Sequence, residues 1–75
     1  MERYRNLGGD SNVTRYQIEP GSIIVEFGDG SQYLYDSNRP GQPTVAEMHR
    51  LARAGQGLNS YIGRVVRKNY ARKLR

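Results

Sequence analysis

The sequence predicts an α+β fold, a three-stranded antiparallel meander followed by two helices packed on one face. Three observations predict it. Gly28-Asp29-Gly30 separates two apolar-rich runs, a strong short-range hairpin signal. Pro20-Gly21-Ser22 joins an earlier alternating run to the same hairpin. Beyond Thr44 the apolar spacing changes from two residues to three and four, the period of a helix.

The first strand runs from Val13 to Glu19, with Tyr16 and Ile18 inward and Arg15 and Gln17 outward. In the hairpin, Ile23, Val25 and Phe27 share a face of the first strand, and Tyr33 and Tyr35 share a face of the second. A two-residue turn at Asp29-Gly30 would pair Phe27 with Gln32. A three-residue loop with Gly30 left-handed pairs Val25 with Tyr33 and Ile23 with Tyr35 instead. The second register gathers five large side chains on one face, and it is the register expected here. The opposite face, with Arg15, Gln17, Ile24, Glu26 and Leu34, is expected to stay largely in water.

Asp36–Pro43 is a polar loop with two prolines. Thr44-Val45-Ala46-Glu47 fits a capping box at the start of a helix. Val45, Met48, Leu51 and Ala52 form its apolar stripe, Arg50 and Arg53 lie off that stripe, and Gly55 stops it. Leu58, Ile62, Val66, Tyr70 and Leu74 step by four, so a second helix is expected over Leu58–Leu74, with Gly63 as the point where it could break. Residues 67–75 then form its basic extension, and residues 1–10 form a flexible lead-in rich in turn residues.

The 75 residues allow one domain, near the lower limit for a core without covalent staples. Cysteine is absent, which excludes a disulfide framework and a thiolate zinc site. No apolar run approaches membrane-spanning length, and Met-Glu-Arg-Tyr-Arg is too polar for a signal peptide. A soluble cytoplasmic monomer with no membrane association is the expectation.

Charge is unevenly placed. The chain carries a formal net +5 and has a pI near 10.0. Residues 1–47 hold four arginines against all seven acids, whereas residues 48–75 hold eight cations and no acid. A C-terminal stretch of 28 residues that is +8 is the footprint expected of a polyanion-binding surface. The candidate phosphate contacts are Arg64, Arg67, Lys68, Arg72 and Lys73, flanked by Arg50 and Arg53. Tyr33 and Tyr35 are candidates for base stacking, but their register and face favour a core position under the helices.

Other chemistry is poorly supported. Gly55-Gln56-Gly57 lacks the Lys-Ser/Thr of a P-loop and follows no strand, so it reads as a helix stop and a tight turn. His49, the single histidine, has no ligand partners nearby in sequence and reads as a boundary residue. No nucleophile stands beside an evident base. No enzyme activity, metal or cofactor is expected.

Several of these residues resemble the KTSC domain, a short module named from the C-terminus of some lysyl-tRNA synthetases and also found as a stand-alone bacterial protein. The resemblance spans residues 11–66. It rests on Ser11-Asn12-Val13 leading into a strand, Ile23-x-Val25-x-Phe27 before a glycine turn, and Tyr33-Leu34-Tyr35. A helix, the small-residue stretch Ala54–Gly57, Asn59 and Ile62 complete it. The resemblance implies RNA binding as the suggested role. Together with the charge, it gives a non-catalytic binding module with weak sequence selectivity, RNA ahead of DNA. The rival expectation is a module docking on an acidic protein partner through strand edges and through Ile24 and Leu34.

Overall fold

The computed structural model describes residues 1–9 and 11–75, and Asp10 lies outside the described residues. The fold is α+β, with a five-stranded antiparallel sheet in sequence order and helices on one face. The strands are β1 (Glu2–Arg3), β2 (Val13–Glu19), β3 (Ser22–Phe27), β4 (Gln32–Asp36) and β5 (Arg72–Lys73). The helices are α1 (Gln42–Ala54) and α2 (Leu58–Tyr61), the latter running on as a π-helical segment over Ile62–Val66. No helix among the described residues is long and apolar enough to cross a membrane.

The central meander follows the turn chemistry. The Phe27 amide donates to the Ser31 carbonyl at 2.9 Å, closing a three-residue loop with Gly30 at φ 87°. Ile23 therefore pairs with Tyr35 and Val25 with Tyr33, the register that puts the large side chains on one face. Glu19 pairs with Ser22 around Pro20-Gly21.

The sheet has two strands more than the three-stranded meander expected from the sequence. Instead of forming a loose lead-in, Glu2–Arg3 pairs with Tyr16 and Arg15. Tyr4 then enters the core, 3% exposed, and its hydroxyl accepts from the Leu58 amide at 3.2 Å. The reason is local: one buried aromatic ring anchors a segment otherwise without apolar alternation, while Leu7 stays exposed. At the other edge, the expected helix over Leu58–Leu74 ends at Val66. The chain returns along β4, so residues 67–75 carry strand β5 and no helix extension.

Helix α1 starts two residues before the expected capping box. Gly41 is its N-cap, no side chain caps it, and Pro43 stands in the first turn. Glu47 turns outward to Arg50 rather than back to Thr44. Gly55 ends the helix in a left-handed conformation, as expected. Val45, Met48 and Ala52 pack with Ile23, Val25 and Tyr35 in a core closed by Leu58, Ile62 and Val66.

The far face of the sheet is drier than expected at its centre. Glu26 is 6% exposed there, while Gln17, Ile24 and Leu34 are half-buried. Central strand β3 has neighbours on both sides, and Arg15 places Nε 3.0 Å from Glu26 Oε1 without aiming an N–H at that oxygen. The ion pair offsets part of the cost of burying the carboxylate.

Candidate nucleic-acid interface

The helices cover only part of the sheet. Beyond the end of α1's footprint lies an open groove of about 410 Å³. Its walls are aromatic: Phe27 at the end of β3, Tyr33 and Tyr35 on β4, and Tyr70 on the segment returning from the π-helix. Phe27 and Tyr33 meet edge to face at 5.7 Å, and Tyr33 and Tyr70 lie 4.7 Å apart at 57°. Phe27, Tyr33 and Tyr70 are each half-buried, so part of each ring faces the groove.

Cations stand around these rings. Arg67 and Lys68 line the groove and are exposed. Lys73 pairs with Tyr33 across the β4–β5 ladder and sits over its ring, Nζ 5.7 Å from the centroid. None of the three has a carboxylate within ion-pair distance among the described residues.

The backbone that presents Arg67 is unusual. The Arg67 amide donates to the Ile62 carbonyl at 2.5 Å, closing the π-helix. Arg67 itself adopts φ 53°, ψ −126°, and Asn69 N–H bonds back to the Val66 carbonyl at 3.0 Å. This is a type II′ turn with arginine where glycine is preferred.

Polar groups complete one end of the groove. Asn12, Asp29 and Ser31 line it. Asp29 Oδ1 accepts from both the Ser31 hydroxyl (2.6 Å) and the Ser31 amide (2.9 Å). Those bonds hold the Asp29 carboxyl below its usual range, with a smaller contribution from the charge on Lys73. Asn12 lies so close to Gly28 that a Cβ there would come within 2.7 Å of Asn12 Oδ1 and turn that side chain aside.

The residues expected to contact phosphate do not form one surface. Arg67 and Lys68 line the groove, and Lys73 sits over the ring of Tyr33, one of its walls. Arg64 is exposed on the π-helical segment. Arg72 pairs with Leu34, so it belongs to the opposite face of the sheet. Arg53 lies beside Ile18, Gly21 and His49, in a separate depression. Arg50 is held by Glu47 through two hydrogen bonds of 2.8 and 2.5 Å, which also raise the arginine's pKa. Adjacent helical turns explain that pairing: the two side chains stand three residues apart.

The two tyrosines also part company. Tyr35 is 2% exposed under α1 and edge to face with Tyr70 at 6.4 Å, so it presents no free ring face to a base. Burial pushes its hydroxyl up to about 12. Tyr33, two residues away, remains open to the groove. Sequence reasoning missed Phe27, Tyr70, Asn12, Asp29 and Ser31 as groove residues. Phe27 was assigned to the core by alternation, and Tyr70 by its helical spacing.

Comparison of the chain with protein-family models, curated proteins and solved structures finds no match.

Proposed function

We propose that this protein is a non-catalytic nucleic-acid-binding module, RNA ahead of DNA, of the KTSC type that residues 11–66 resemble. The observation that carries the reading is the convergence of Arg67, Lys68 and Lys73, without carboxylate partners among the described residues, on an open aromatic groove. Cations of this kind neutralise phosphates and displace counterions, and half-exposed rings tolerate any base. Without a built set of base readers along a strand or helix, sequence selectivity is weak.

The spatial grouping lowers the number of phosphates engaged from the five suggested by counting cations to about three. For single strands, log K then falls against log salt with a slope near −2. The test is purification of the intact chain from cells at low salt, followed by ultraviolet absorbance before and after nuclease. Nucleic acid that co-purifies and is released by salt supports the reading. A partner that survives nuclease and elutes as an acidic protein overturns it.

A further inference from the structure

We infer that the groove holds one unpaired nucleotide, its base against Tyr33 and Tyr70, its amino-bearing edge toward Asp29, and its phosphate on Arg67 and Lys68. This rests on the nucleic-acid reading above and adds what the groove recognises. Its volume of about 410 Å³ suits a single base with its sugar rather than a duplex. A base held in a duplex has its faces covered by neighbours, so only an unstacked one can use these rings.

The polarity of the groove gives the nucleotide a direction. Both hydrogen bonds from Ser31 go to Asp29 Oδ1, which leaves Oδ2 free of protein donors among the described residues. An ionised carboxylate only accepts, so it favours a base edge that donates, such as the exocyclic amine of adenine or cytosine. The same charge disfavours a phosphate at that end. Arg67 and Lys68 supply the opposite charge along the groove.

The backbone at Arg67 is a second, independent pointer. Arginine in a conformation suited to glycine is strained, and such strain is concentrated where a side chain's placement serves binding. Glycine would suit the backbone of this turn, at the loss of the arginine side chain that lines the groove.

The test uses the intact chain and three probes, a short single-stranded oligoadenylate, an abasic sugar–phosphate strand of equal length and the same oligoadenylate paired in a duplex, with single-stranded oligouridylate added for the Asp29 variant alone. The chain has six tyrosines and no tryptophan, so quenching of tyrosine emission reports stacking directly. Oligoadenylate should quench emission and bind about tenfold to a hundredfold more tightly than the abasic strand or the duplex. Tyr33→Leu, which keeps apolar bulk, should abolish that advantage. Asp29→Asn should narrow the preference for oligoadenylate over oligouridylate. Arg67→Gly should raise the thermal midpoint while weakening binding. Equal, salt-sensitive binding of all three probes would overturn this inference and leave the phosphate reading standing. Failure to bind any of them at low salt would remove both.

Discussion

Tyr33 and Tyr35 stand two residues apart on the same face of β4, yet one is half-buried and the other sealed at 2% exposure. Around Tyr35 the sheet is roofed by α1, and Ile23, Val45, Met48 and Ala52 pack into the same buried apolar cluster. Around Tyr33 the roof is missing. Phe27 and Tyr70 provide walls, Lys73 lies above the ring, and Arg67 and Lys68 border the opening. The same kind of residue is thus core at one end of the sheet and binding surface at the other. Cover, rather than residue type or strand face, decides between them.

That contrast makes graded predictions. Ile23→Ala, at a fully buried position, should cost about 2–5 kcal/mol in denaturant unfolding. A loss under about 1 kcal/mol would mean the roofed end is not the stabilising one. Alkali should strike the same end. Tyr35 keeps its proton in the folded state to about pH 12, whereas an unfolded tyrosine loses it near pH 10. Stability is therefore intact below about pH 10 and declines as pH rises toward 12, by roughly 2–3 kcal/mol in all. Tyr35→Phe should flatten that decline in unfolding curves measured across the alkaline range.

The open end should respond more weakly. Phe27→Ala should cost about 1–2 kcal/mol, below the 3–5 kcal/mol typical of a fully buried phenylalanine, because the ring is only half-covered. A cost as large as that at Ile23 would erase the distinction between the ends. The smallest effect has the opposite sign. Arg67→Gly should stabilise the fold by about 0.5–1 kcal/mol by relieving its positive φ, a gain read as a higher melting midpoint.

Much of this architecture was legible in the residues. The hairpin register followed from Gly28-Asp29-Gly30, because a glycine able to turn left-handed fixes the loop length and with it the pairing. The stop of α1 at Gly55 was legible for the same reason. The C-terminal third was not. Leu58, Ile62, Val66, Tyr70 and Leu74 keep a helical period throughout, and the one glycine in that run, Gly63, lies inside the π-helical segment, four residues before the turn at Arg67. The turn there is made by an arginine, a residue whose type does not announce a positive φ. Strand β1 was hidden because two residues show no alternation, and what ties them down is tertiary: the buried ring of Tyr4, and the amides of Tyr4 and Leu7 donating to the Thr14 and Gly55 carbonyls.

These two misreadings account for the site. Counting cations along an extended helix placed Arg64, Arg67, Lys68, Arg72 and Lys73 on one surface. The return of the chain as β5 instead sends Arg72 to one face of the sheet and Lys73 to the other. Asp29, read as a turn residue, and Ser31 beside it come to lie at the groove because the hairpin tip borders it. Charge composition suggested the class of partner, but only tertiary pairing selects which charges act together.

The most direct measurement is the affinity for a single-stranded oligonucleotide at several salt concentrations, for the wild-type chain and for the Arg67→Ala, Lys68→Ala double variant. The wild-type slope of log K against log salt should lie near −2, and losing two of about three phosphate contacts should bring it to roughly −0.7. Identical slopes in a variant that remains folded would show that the open end of the sheet is not where nucleic acid binds.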